Sequence, residues 1–192
     1  MKKRLSITFN SPVVLIFVIL SLFVMILNVF TGGYSNQLLF MTFRSSLTSP
    51  LTYVRLFTHA LGHATWEHFI GNIMYLLLLG PLLEEKYGSK VMIQIIILTA
   101  FITGLINFIF FPEIALLGAS GVVFAFILLS SFTSFKEREI PITFILVAVL
   151  FLGQQVYEGI FVENNISNLS HILGGIVGAV FGFVLARRGK RR

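Results

Sequence analysis

A serine and a histidine each stand at the start of an apolar segment that carries small residues at helical spacing. Ser120 directly precedes Gly121, so its hydroxyl is open to close approach. His171 is followed by Gly174 and Gly178 at offsets of three and seven, which puts all three on one helix face. Glycines four residues apart let a neighbouring helix backbone come close. If the two segments meet along these faces, Ser120 comes within reach of a histidine base and becomes an activated nucleophile.

A second polar pair could stabilise the negative charge that such an attack creates. His68 and Asn72 are one helical turn apart, so both project from one face of an apolar segment. Polar side chains inside a membrane are costly unless they are paired or solvated. Together with backbone N–H groups near Ser120 they could donate to an oxyanion, and Gly118 suits that role because its backbone is bare. The alternative is that Asn72 only bonds a neighbouring helix.

His59, His63 and His68 also suggest a metal site. Zinc requires a fixed ligand set, and the chain has no H-E-x-x-H motif; Glu67 does not lie between two ligands as that motif demands. In the alternative, His59 and His63 form hydrogen bonds within their loop and anchor it.

The composition is that of an integral membrane protein. Of the 192 residues, 56% are hydrophobic and only 11% are charged, unlike a soluble globular domain. The absence of cysteine excludes disulfides and thiolate chemistry. The absence of aspartate excludes an aspartyl protease dyad and a Ser-His-Asp triad, unless glutamate substitutes. The net charge of +6 lies mostly in tails and short connections, which indicates membrane topology and argues against nucleic-acid binding.

Apolar runs of membrane-crossing length predict an all-α membrane protein with a bundle of six transmembrane helices. The first run is longer than the apolar core of a signal peptide and no cleavage site follows it, so we predict an uncleaved span. The mixed segment from Thr31 to Trp66 predicts a long, structured first loop at the membrane interface. The spans, within a single domain of residues 1–192, are predicted at about 12–30, 67–83, 90–110, 119–135, 141–160 and 169–186.

Basic residues orient these spans. Of the 14 lysines and arginines, all except Arg44 and Arg55 lie in the two tails or in the second and fourth connections. Because basic loops stay on the cytoplasmic side, both termini are predicted to be cytoplasmic and the candidate site to open to the outer side. The minimal form suggests a multi-pass protein of a bacterial inner membrane.

Three motifs together resemble those of the rhomboid intramembrane serine proteases, over about residues 10–187. These motifs are Gly118-Ala119-Ser120-Gly121, the pair His68 and Asn72, and His171 followed by Gly174 and Gly178. The resemblance implies a Ser-His dyad with Ser120 as nucleophile and His171 as general base and acid. It also implies Asn72 and His68 as oxyanion-hole donors. We predict membrane-anchored protein substrates and the lipid bilayer as partners, and no cofactor, metal or nucleic acid.

Four further positions bear on this resemblance. One turn after the serine the family often has an aromatic residue that packs on the catalytic imidazole, and here it is Phe124. Glu84, just past the second span, resembles a structural glutamate of the family. The family's first loop carries a Trp-Arg pair, whereas here Val54 precedes Arg55, so the anchoring of the loop departs from the family pattern.

The leading hypothesis is an intramembrane serine endopeptidase that cleaves in or beside a substrate's transmembrane segment. Water must reach the dyad through a cavity, and the polar loop from Glu163 to Ser170 is predicted to gate it, together with the outer half of the fifth span. One alternative is a catalytically inactive rhomboid-like protein that binds membrane clients. Another is a metal-dependent membrane hydrolase or transporter that uses His59, His63 and His171.

Overall fold

The computed structural model describes residues 8–132, 140, 142–161 and 168–188, and most of them are helical. This part of the chain contains no β-strand, and one isolated antiparallel bridge joins Thr42 to Leu116. The helices are α1 (Pro12–Phe30), α2 (Pro50–Thr58), α3 (Trp66–Tyr87), α4 (Ser89–Phe110), α5 (Ser120–Ser131), α6 (Ile142–Val147), α7 (Gly153–Phe161) and α8 (Asn168–Arg188).

Four helices of the described part are long and apolar enough to cross a membrane: α1, α3, α4 and α8 as far as Ala186. Helix α5 is shorter, and residues 133–135 of the fourth predicted span lie outside the described residues. In the fifth predicted span, α6 and α7 are joined by a π-helical turn, Ala148–Leu152, into one continuous helical stretch. The all-helical, multi-pass membrane character predicted from the sequence is confirmed.

Helix α3 continues past residue 83, where the second predicted span ends. Gly80 and Pro81 lie inside the helix; the proline removes a backbone hydrogen bond, a loss that membrane helices tolerate. Gly80 packs directly on Val14 of α1, where an added Cβ would lie 2.7 Å from the valine methyl groups. The helix stops before Gly88, whose φ of 82° favours glycine.

Glu84 joins the end of α3 to the start of α1. Its buried carboxylate accepts hydrogen bonds from the backbone N–H groups of Val13 and Val14 and from the Ser89 hydroxyl. The first N–H groups of a helix have no partner within the helix and carry partial positive charge, so a carboxylate there is stabilising. The structural role predicted for Glu84 is confirmed, and the start of α1 lies beside the end of α3.

Polar contacts hold the segment between α1 and α3. Arg55 of α2 is buried, donates from Nε to the Leu38 carbonyl, and lies 4.6 Å from the Phe43 ring centroid. Val54 is exposed and takes no part in this anchor. The anchoring of the segment at Arg55 therefore relies on a phenylalanine and a backbone carbonyl.

Helices α5 and α8 pack along the predicted stripe of small residues. A Cβ on Gly174 would lie 2.0 Å from the Gly121 carbonyl oxygen, and one on Gly178 would lie 2.0 Å from that of Ala125. Gly174 and Gly178 are four residues apart on α8, and their contacts Gly121 and Ala125 are four residues apart in the same order on α5. The two helices therefore run in the same direction. The predicted contact is confirmed, and it brings the N-terminal ends of α5 and α8 to the same side of the protein.

Candidate active site

A cavity of about 620 Å³ lies among the N-terminal ends of α3, α5 and α8. Helix α3 begins there because the Thr65 hydroxyl caps it by accepting from the His68 N–H group. The structure brings four of the predicted site residues to the cavity wall: His68, Asn72, Ser120 and His171.

Ser120 is the first residue of α5, and Ala119 occupies the N-cap position without a side-chain capping bond. The first N–H groups of this helix have no carbonyl partner within it, and the aligned peptide dipoles add partial positive charge at this end. Negative charge that develops on an oxygen beside Ser120 would therefore lie near backbone donors.

Gly118 lies against the His68 imidazole. Its φ is 127°, a conformation that other residues rarely adopt, and an added Cβ would lie 2.6 Å from His68 Cε1. The same point lies 3.8 Å from Asn72 Nδ2. In the described part of the chain, nothing accepts a hydrogen bond from this buried amide nitrogen. The three residues predicted as oxyanion donors thus lie together. The Gly118 N–H group, however, already donates to the His59 carbonyl, whereas the Asn72 amide is unused within the described residues.

The His171 ring is held on its face and on its edge. Phe124 stacks on it with a centroid distance of 4.6 Å and 3° between the planes, which confirms the predicted packing. On the edge, His171 Nδ1 is hydrogen-bonded to Oε1 of Gln155, a residue of α7. Because an amide oxygen only accepts, this assignment puts the ring proton on Nδ1 and the lone pair on Nε2.

Two other histidines hold the turn that precedes Ser120. His63 Nδ1 donates to a carbonyl of its own loop, so its Nε2 carries the lone pair and accepts from the Ala119 N–H group over 3.5 Å. The His59 carbonyl accepts from the Gly118 N–H group at 2.9 Å, and its ring donates from Nε2 to a carbonyl of α4. The anchoring role suggested as the alternative to metal binding therefore fits both histidines, although the His59 ring reaches beyond the loop.

A metal centre gains no support from these positions. Across residues 8–132, 142–161 and 168–188, no three histidine, cysteine or acidic side chains lie close enough together to hold a metal ion.

Burial lowers the pKa of His59 to about 4 and that of His63 to about 4, and the neighbouring His68 lowers the latter further. In the unfolded chain both imidazoles have pKa values near 6.5. As the pH falls from 6.5 towards 4, the unfolded state takes up protons that the folded state does not, so the free energy of unfolding decreases. We expect the Tm of the detergent-solubilised protein to fall across this range.

His59→Gln tests this cause, because glutamine keeps an N–H donor for the carbonyl of α4 but does not titrate. The Tm of the variant should fall less steeply with pH than that of the parent. Measuring between pH 6.5 and about 5 avoids most carboxylate titration. Equal slopes in the two proteins would mean that His59 titrates alike in the folded and unfolded states.

Comparison with known families gives a match across most of the chain: the model of the Rhomboid domain matches residues 50–188. The chain belongs to the rhomboid family. It is 30% identical over 161 residues to Rhomboid-related protein 2 of Mus musculus, a match that covers 72% of this chain and 53% of the mouse protein.

Two bacterial rhomboids are also similar, and both are named as proteases. The chain is 30% identical over 175 residues to Rhomboid protease GluP of Bacillus subtilis, which covers 86% of this chain and 33% of that protein. It is 25% identical over 134 residues to Rhomboid protease GlpG of Haemophilus influenzae, which covers 68% of each chain. This rhomboid spans about half the length of the mouse relative and a third of the Bacillus one.

Sequence reasoning missed Gln155 in the site of this rhomboid. The signal was present: Gln154 and Gln155 are adjacent amides within an apolar run, and an amide inside a membrane is costly unless it has a partner. Of the predicted gate, Glu163 to Ser170, residues 163–167 lie outside the described residues. Asn168 and Ser170 are buried at the start of α8.

Proposed function

We propose that this rhomboid is an intramembrane serine endopeptidase, which uses Ser120 and His171 to cleave peptide bonds in or near the transmembrane segments of membrane proteins. The observation that carries the proposal is the Asn72 amide, buried beside Gly118 and His68 with no acceptor in the described part of the chain. An unpaired buried donor costs stability. A substrate oxygen arriving on the wall shared with Ser120 and His171 would satisfy it.

In the proposed reaction, Ser120 Oγ attacks the carbonyl carbon of the peptide bond and its proton passes to His171 Nε2. The carbonyl oxygen becomes an oxyanion that accepts hydrogen bonds from Asn72, His68 and the first backbone N–H groups of α5, which begins at Ser120. Collapse of this intermediate breaks the C–N bond, and His171 gives the proton to the leaving amine. Water then attacks the acyl-enzyme with His171 as base, which releases the acid product and restores Ser120.

The proposal includes six spans in a single domain of residues 1–192, with both termini in the cytoplasm of a bacterium and the cavity open to the outer side of the inner membrane. The parallel packing of α5 and α8 supports this topology, because the chain between them must return across the membrane, and the helical stretch 142–161 can do so. Glu84 supports it as well, since its bonds put the start of α1 at the end of the bundle opposite to the cavity.

The direct test is incubation of the detergent-solubilised protein with a single-span test substrate, with the product termini read by mass spectrometry. We expect one cut in or beside the transmembrane segment, and no cut with Ser120→Ala. Binding of the substrate without a cut would favour a catalytically inactive, client-binding rhomboid. Cleavage that requires added zinc would favour a metal-dependent hydrolase.

A further inference from the structure

Gln155 is buried, with 5% of its surface exposed, shortly after the apolar run of residues 142–152. A buried amide in such surroundings is costly unless it is hydrogen-bonded. The bond from His171 Nδ1 to Gln155 Oε1 meets this need on the amide side. On the histidine side it stabilises one of the two neutral tautomers, the one with its proton on Nδ1.

Phe124 and Gln155 restrain different motions of the imidazole. Stacking on Phe124 fixes the plane of the His171 ring. A half-turn of the ring within that plane keeps the stacking but exchanges its two edges, so stacking alone does not choose between them. The bond to Gln155 does choose, because it requires an N–H group on the edge that faces α7.

The helical stretch 142–161 has two features that bring Gln155 to His171. Phe151 lies one turn before Gln155, and its ring packs edge-on against Phe124 at a centroid distance of 6.0 Å. Phe151 lies in the π-helical turn Ala148–Leu152, and Gln155 follows it. Such a turn contains about one residue more than an α-helical turn. The extra residue rotates everything after it by about 100°, which sets the phase at which Gln155 meets His171.

We infer that Gln155 is a positioning residue for the proposed protease: by accepting from His171 Nδ1, it keeps the lone pair of the base on Nε2 and fixes the orientation of the ring. Gln155 acts through His171, because its bond is to Nδ1 and the proposed proton transfer uses Nε2. The inference rests on the proposed function of Ser120 and His171, which make this tautomer the one that the reaction needs.

Gln155→Leu tests the inference, because leucine is close in size to glutamine but has no acceptor. We expect a fluorophosphonate to label the Leu variant about tenfold more slowly than the parent, the effect of losing about one hydrogen bond from the reactive geometry. Gln155→Glu keeps an oxygen at the same reach and should restore most of the labelling rate. Gln94→Leu, the same change on the exposed side of α4, is the matched control and should leave the rate unchanged.

Nitrogen NMR of histidine-labelled protein measures the tautomer without any need for activity. The His171 signals are identified by their loss in His171→Ala. We expect the Nδ1–H tautomer in the parent and in Gln155→Glu, and a mixture of tautomers in Gln155→Leu. A parent that is never labelled would overturn the protease proposal, and the NMR comparison would still decide the role of Gln155. Unchanged tautomer and labelling rate in Gln155→Leu would overturn the inference.

Discussion

A fluorophosphonate probe is expected to attach to Ser120 and to no other serine, because only a serine with a base beside it loses its proton readily enough to attack phosphorus. Ser120→Ala should abolish labelling and substrate cleavage, yet leave the Tm close to that of the parent, since it removes one oxygen from a cavity wall. His171→Ala should do nearly the same by removing the base. Peptide mass spectrometry of the labelled protein identifies the modified residue.

A matched control lies at the other end of the same helix. Ser131 bonds back to a carbonyl one turn earlier, the usual behaviour of a serine in an apolar helix, so Ser131→Ala should be labelled like the parent. Asn72→Ala should lose only part of the rate. One oxyanion donor contributes about 10²- to 10³-fold in a soluble serine protease, and in the proposed mechanism His68 and the backbone share that role. Labelling that persists in Ser120→Ala, or that needs zinc, would contradict the assignment of the dyad.

Gly178→Val is expected to destabilise the protein and to abolish its activity together. Any Cβ at this position would overlap the Ala125 backbone, so α8 would have to move away from α5. Overpacking of this kind costs about 1–3 kcal/mol. The same movement separates His171 from Ser120, because both stand at the start of the two helices in contact. Thermal unfolding in detergent and fluorophosphonate labelling measure the two effects.

Gly153→Val is the control for the change of residue type. Gly153 begins α7, is exposed, and has no atom within 4 Å of an added Cβ. The free energy of unfolding of Gly153→Val should stay within about 1 kcal/mol of that of the parent, so its Tm should change little. A Gly178→Val protein that is as stable and as readily labelled as Gly153→Val would show that the α5–α8 contact is absent in solution.

The contact between α5 and α8 could be predicted because it depends on the spacing of small residues along one helix face. Gly174 and Gly178 share a face with His171 at any helical phase, and small residues there have one common use in membranes. The stacking of Phe124 was implied by the resemblance to the rhomboid family, and helix geometry agrees with it, since a residue one turn after Ser120 projects to the same side. The spacing of the small residues predicted the helix contact that brings the serine and histidine segments together.

Gln155 could not be placed in this way. The π-helical turn before it shifts the phase of the helix, and no residue type in Ala148–Leu152 announces such a turn. The bridge between Thr42 and Leu116 could not be predicted either, because it joins backbone groups that nearly every residue has. Helix α2 is held by contacts such as that of Arg55 with the Leu38 carbonyl, which spacing along the chain does not encode.

The order of the helices along the chain has a consequence for how this protein is made. Thr42, His59 and His63, which hold the turn before Ser120, are all translated before it, so the serine helix can dock on a surface that already exists. His171, the proposed base, lies on α8, 51 residues after the serine. At ordinary translation rates, about 3 to 10 seconds separate the two residues. A nascent chain therefore carries Ser120 into the membrane before His171 has been translated, and the proposed protease becomes competent only once α8 has been inserted.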